Sequence, residues 1–417
     1  MKIQSFVLRA GISAVLLGSA LACSSPAAKP TTVDRPDTWV EGREVGGGES
    51  ASAPLDFSLS ITKQLMSEEK PGENTFASPF SVMAALTLAL NGAGGETYAE
   101  MAKLLGADGI STESWNKSML ALRKDLEGGA DNRVTLSIAN AMWLGKGESV
   151  GKLFIERNKE YLDAEVQTLD FASPAAVDAI NDWVNEKTNE RIPTIVNSLD
   201  PATVAVLANA IYFDAKWSSE FKPKDTHDAT FTHADGSESQ VKMLSQFGSE
   251  MYGEFDDYQA LRKPYGKGRF AMTIVLPAEG KDASVITPLL ESEAWKTLQD
   301  SLQQKSGSFE MPKLEIEWDK SLKQTLMSMG MTQAFGGADF SGIASNLFIS
   351  DVLHKTFLKI DEEGTEAAAV TAIMLEKSAA PHRPDDPFSM ICDRPYFIAI
   401  TDTQTGAILF AGMINKP

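Results

Sequence analysis

Helix-periodic segments crowd the first half of this chain and strand-like segments the second, and that order limits the fold more than any other feature. Apolar residues recur at helical spacing in 54–66, 81–90, 97–105 and 175–188. Ser78-Pro79 opens the second of these and Asn91-Gly92 closes it. Stretches 134–144, 202–213, 270–276, 309–316 and 397–400 are β-rich or alternate, and a turn at 402–406 leads to a last strand at 407–414. Helices followed by strands, without βαβ alternation, predict an α+β fold. Nothing after residue 52 looks like a repeat or a second long linker, so 53–417 reads as one domain.

The N-terminus reads as an export signal. Lys2 and Arg9 are followed by a mostly apolar run at 10–22 that is too short for a typical membrane span. The run ends Ser19-Ala20-Leu21-Ala22-Cys23, which resembles the lipobox of bacterial lipoproteins, with Ala20 where Leu is usual. The resemblance implies a signal peptide at 1–22 and a lipidated Cys23. With Ser24 following, it implies the outer membrane or cell surface; an ordinary signal peptide and a secreted or periplasmic protein is the alternative. Residues 23–52, rich in Ser, Pro, Ala and Gly, read as a flexible tether. The only other cysteine is Cys392, in an apolar stretch, so a buried thiol is expected there and no intrachain disulfide.

Chemistry is excluded more easily than assigned. A formal net charge of -19 argues against nucleic acid as a partner. The four histidines have no zinc-ligand spacing, and neither a Gly-x-Ser-x-Gly elbow nor a phosphate loop is present. No metal, no cofactor and no catalytic set is expected. Asn91-Gly92-Ala93-Gly94-Gly95 reads as a helix–helix turn, and Asp361-Glu362-Glu363 with Glu366 as a solvated charge run.

Segment 365–376 is ambiguous on its own. As an extended chain it places Thr365, Ala367, Ala369, Thr371, Ile373 and Leu375 on one face, small at the start and apolar at the end. It also suits a plain Ala-rich helix, and a Pro-rich loop follows at 379–387.

Residues 53–417 resemble the serpin family throughout. Asn74-Thr75-Phe76-Ala77-Ser78-Pro79-Phe80-Ser81 is similar to its Asn-x-Phe-x-Ser-Pro-x-Ser segment. Ile180-Asn181-Asp182-Trp183-Val184, Leu207-Ala208-Asn209-Ala210-Ile211-Tyr212-Phe213 with Trp217, and Asp393-Arg394-Pro395-Tyr396-Phe397 match later family motifs in order. The resemblance implies three β-sheets with about nine helices and an exposed C-terminal reactive loop, able to enter the main sheet as a strand. It implies a suicide inhibitor, expected as a monomer. Its expected targets are trypsin-, elastase- or subtilisin-like serine proteases, with papain-like cysteine proteases as a further class. A non-inhibitory binding or chaperone-like member is the alternative.

Residue by residue, the resemblance assigns a hinge to Glu362, Glu363, Gly364, Thr365, Glu366, Ala367, Ala368 and Ala369. Ser78, Ser81, Asn209 and His354 match a polar cluster beneath the opening sheet, and Lys313 and Glu362 an ion pair at its top. Counting the length that must insert places the cut at Ser378-Ala379, or one bond earlier at Lys377-Ser378.

Overall fold

The computed structural model describes residues 27–44, 52–200, 203–365 and 386–417. Cys23, the hinge residues Glu366, Ala367, Ala368 and Ala369, and the cleavage candidates Lys377, Ser378 and Ala379 lie outside them. Among the described residues there are three sheets of six, nine and two strands, with eight α-helices and three 3-10 helices, the longest Ala283–Leu289. The expected α+β architecture is therefore found.

The six-stranded main sheet is built from β1 (Val134–Gly145), β2 (Glu165–Leu169), β3 (Ala205–Lys216), β4 (Leu314–Ser321), β5 (Asp351–Ile360) and the two-residue β6 (Gly364–Thr365), in the order β4-β5-β6-β3-β1-β2. In β5 inward and outward positions alternate strictly, and Val352, His354, Thr356, Leu358 and Ile360 point into the protein. One helix under this sheet, Pro79–Leu90, is buried on all sides, as its near-uniform apolar sequence requires. It packs against both β3 and the strand Ile408–Ile414 of the nine-stranded sheet, so it joins the two layers.

Two expectations need correction. Stretch 309–316 is not one strand. Gln303–Pro312 belongs to the nine-stranded sheet and β4 to the main sheet, with Lys313 at the crossover. Pro312 lacks the N–H to continue a ladder. The second correction concerns residues 27–44, read above as tether. They lie along the body, and Thr31–Val33 forms a parallel two-stranded sheet with Ser149–Gly151.

Candidate functional site

The main sheet is split along its middle. β3 and β5 flank the short β6 in the sheet order, and among the described residues they pair directly only at one end, Asp351 with Val206 and Val352 with Leu207. At the other end β6 lies between them: Thr365 pairs with Ile360 of β5 and Ala215 of β3, and Gly364 with Lys216. Between these ends no ladder pairing joins β5 to β3 among the described residues, and this stretch is the seam.

The upper end of the seam holds Gly364 and Thr365, which belong to the segment expected to be a hinge. A Cβ at Gly364 would lie 2.1 Å from the carbonyl oxygen of Ala215, so glycine is required there for close approach. Thr365 is buried, and its hydroxyl shares a 2.6 Å hydrogen bond with the phenol of Tyr265. Burial pushes that phenol well above its ordinary pKa, so it stays neutral. Tyr265 stacks on Trp217 with ring centroids 4.3 Å apart, and together they floor the entrance.

Glu362 and Glu363, just before Gly364, are also held from outside. Lys313 Nζ lies 2.7 Å from Glu362, whose other carboxylate oxygen accepts from Thr226 at 2.8 Å. Burial opposes ionisation of Glu362, but the hydrogen bonds from Lys313 and Thr226 outweigh it and hold the carboxyl below its usual range. Lys216 pairs with Glu363 at 3.0 Å, and the Trp217 amide donates to the Glu363 carbonyl at 2.8 Å. Beneath Trp217 and Phe221 lies Lys263, 1% exposed, with Nζ 3.3 Å from Glu250. Desolvation pulls its ammonium pKa down while Glu250 opposes that shift.

Under the middle of the seam the structure brings Ser78, Ser81, Asn209 and His354 together through one helix end. Ser78 caps Pro79–Leu90, its Oγ accepting from the Ser81 amide at 3.3 Å and donating to the Leu409 carbonyl at 2.6 Å. The Ser78 amide donates to His354 Nε2 at 2.9 Å, and the Ser81 hydroxyl to Asn209 Oδ1. The same helix end thus grips β5 and β3 from below, across the seam. Burial lowers the His354 pKa to about 4, so the imidazole is neutral and Nε2 is free to accept.

Sequence reasoning missed several participants. Asn209 passes a 2.6 Å hydrogen bond to Asn140 on β1, and the Thr356 hydroxyl donates to the Phe76 carbonyl. Tyr265, Thr226, Lys216 and Lys263 were also missed. Each is distant in sequence from its partner, and only the alternation in β5 could have pointed to Thr356. Cys392 is fully buried, and burial pushes its thiol pKa far up, which fits a core group.

A family model described as "Serpin (serine protease inhibitor)" matches residues 52–417. The uncharacterized serpin-like protein TK1782 of Thermococcus kodakarensis is 38% identical over 394 residues, 93% of this chain and 89% of that protein. Neuroserpin of Homo sapiens is 31% identical over 379 residues, 88% and 91% of the two chains. The crystal structure of the thermophilic serpin tengpin in its native state superposes with a TM-score of 0.81 at 30% identity, covering 94% of this chain and 100% of that one.

Proposed function

The chain belongs to the serpin family, whose members are in general protease inhibitors rather than enzymes, and we propose that it traps serine endopeptidases, and papain-like cysteine endopeptidases as a further class, by inserting its cleaved loop into the main sheet. The observation that carries this reading is Thr365, seated between β5 and β3 at the head of a seam that, among the described residues, pairs again only at its far end. Because Thr365 faces the core, strand alternation sends Ala367 and Ala369 inward as insertion proceeds. Side chains this small pass over the aromatic floor and the polar cluster at low steric cost.

In this scheme the protease nucleophile attacks the carbonyl of Lys377 or Ser378. The C–N bond breaks, the new amine leaves with a proton, and the acyl-enzyme remains attached to the loop. Insertion competes with hydrolysis of that ester, or of the thioester formed by a cysteine endopeptidase. The ion pair Lys313–Glu362 and the helix end at Ser78 and Ser81 hold the seam until cleavage frees the strand.

The test mixes purified protein with trypsin-, elastase- and subtilisin-like proteases and looks for a complex that survives boiling in detergent. Mass spectrometry of the released C-terminal peptide then identifies the bond cut. Clean turnover by every protease, with no stable complex, would sink the inhibitor reading.

We further propose that Cys23 is lipidated and tethers the exported protein to a membrane, outer or cell-surface. The support is the residue pattern ending Ala20-Leu21-Ala22-Cys23. Three acyl chains on one residue suffice for stable anchoring at about 0.8 kcal/mol per buried methylene.

A further inference from the structure

We propose that this protein sits directly on the bilayer, with the pole of the main sheet opposite the hinge facing the membrane and the reactive loop facing away. This rests on the anchor reading of Cys23. The new element is residues 27–44, which precede the family match at 52–417.

This segment is docked along its length. Ala28 bridges to Thr168 through two backbone hydrogen bonds of 3.0 and 3.3 Å. After the Thr31–Val33 pairing, the Arg35 guanidinium reaches the Ser149 carbonyl at 2.9 Å and the Ser345 hydroxyl at 2.7 Å. Asp37 forms a two-pronged ion pair with Arg157 at 2.7 and 2.8 Å, and the same guanidinium lies 3.8 Å over the Trp39 ring. Val40 and Thr112 exchange bonds of 3.0 and 3.1 Å. Gly42 runs so close to Ile110 that an added Cβ would meet its backbone at 2.7 Å. A segment held by this many specific contacts is a strap, not a leash.

The register says where the strap begins. Ala28 joins Thr168, which pairs with Leu144 of β1, while Val134 at the other end of β1 pairs with Ala215, the partner of Thr365. From Val134 to Leu144 the strand rises roughly 33 Å. Ala28 and Thr365 therefore occupy opposite poles of one sheet. Cys23 lies four residues before Ala27, a reach of at most about 14 Å. A free tether over 23–52 would instead wander some ~30 Å in root-mean-square terms. The short reach brings the Thr168 pole, with Lys29 and Lys146, against the headgroups.

The experiment uses the full chain, purified from bacterial membranes and reconstituted in phosphatidylethanolamine–phosphatidylglycerol vesicles carrying a headgroup acceptor dye. Donor dyes are placed at Lys146→Cys or Lys267→Cys, both exposed and at opposite poles; Cys392 is buried and takes no label. Energy transfer severalfold stronger from Lys146→Cys than from Lys267→Cys is expected. A thirty-residue Gly-Ser insert after Ser24 should bring the two close to equal. Equal transfer without the insert, in protein whose Cys23 peptide carries the acyl mass, overturns the orientation and leaves the anchor standing. An unmodified Cys23 peptide overturns the anchor, and the orientation with it.

Discussion

The backbone amide of Ser78 donates to Nε2 of His354 at 2.9 Å, so the first turn of a buried helix is bonded to the strand on one side of the sheet's seam. Three residues on, Ser81 bonds Asn209 on the other side. Opening the sheet by sliding β5 away from β3 must break at least one of these bonds. Among the described residues the two sides of the seam are thus held together by a few polar contacts with little ladder pairing behind them.

His354 makes that hold pH-dependent. The unfolded chain takes up the histidine proton near pH 6.5, whereas the folded protein resists until about pH 4. Stability from this group is therefore complete above pH 6.5 and is lost as pH falls from about 6.5 toward about 4, by at most about 1.4 kcal/mol per pH unit. Melting temperature should fall, and self-association on mild heating should rise, as the pH goes from 7.5 to 5. In His354→Gln the slope should be shallower; an unchanged slope would remove His354 from the account.

Thr365 should control trapping. Thr365→Arg places a charge where Tyr265 and the core stand, so insertion slows and the protein should be cleaved as a substrate without forming a boiling-resistant complex. Thr365→Val keeps the shape but leaves the buried Tyr265 hydroxyl without this partner, at about 1–3 kcal/mol, and should still trap. If the Arg variant traps as well as the parent, Thr365 does not enter first.

The Lys313–Glu362 pair is half exposed on the lysine side, so its direct contribution is only about 0.5–1 kcal/mol. Lys313→Ala should lower the melting temperature by only about 1 °C. Its effect on the rate of spontaneous loss of inhibitory activity at 37 °C should be larger, because the pair sits at the point where the strand enters. A variant with unchanged activity lifetime would assign the pair to ordinary surface stability.

In the proposed scheme, insertion carries an attached protease toward the pole where the strap begins. On vesicles that pole faces the bilayer, so complex yield there should be lower than in detergent, and the Gly-Ser insert after Ser24 should restore it. Equal yields in both settings would mean that the strap peels away during trapping.

Much of this was readable beforehand, for physical reasons that differ by region. The helix Pro79–Leu90 carries its own cap and apolar run, and the strand Phe270–Pro277 is buried throughout, so both are visible in local pattern. The strand β5 was not seen, because His354 and Thr356 stand at inward positions where an apolar side chain is expected. Tyr265 and Lys263 act through partners far away in sequence, beyond the reach of periodicity. The strap was misread because Ser, Pro and Gly dominate its surroundings. Trp39, an aromatic amid polar residues, was the one signal that it docks, and its partner Arg157 lies on the helix Lys152–Leu162, which was also unrecognised.

The central claim is that the seam between β3 and β5 accepts the loop as a strand. Limited proteolysis within 370–385, followed by comparison of melting temperatures, tests it most directly. A strand of ten or so residues paired on both edges adds more than about ten hydrogen bonds at ~1 kcal/mol each. The account therefore predicts that the cleaved protein melts about 10 °C or more above the intact one. A cleaved protein that melts at or below the temperature of the intact chain would contradict it.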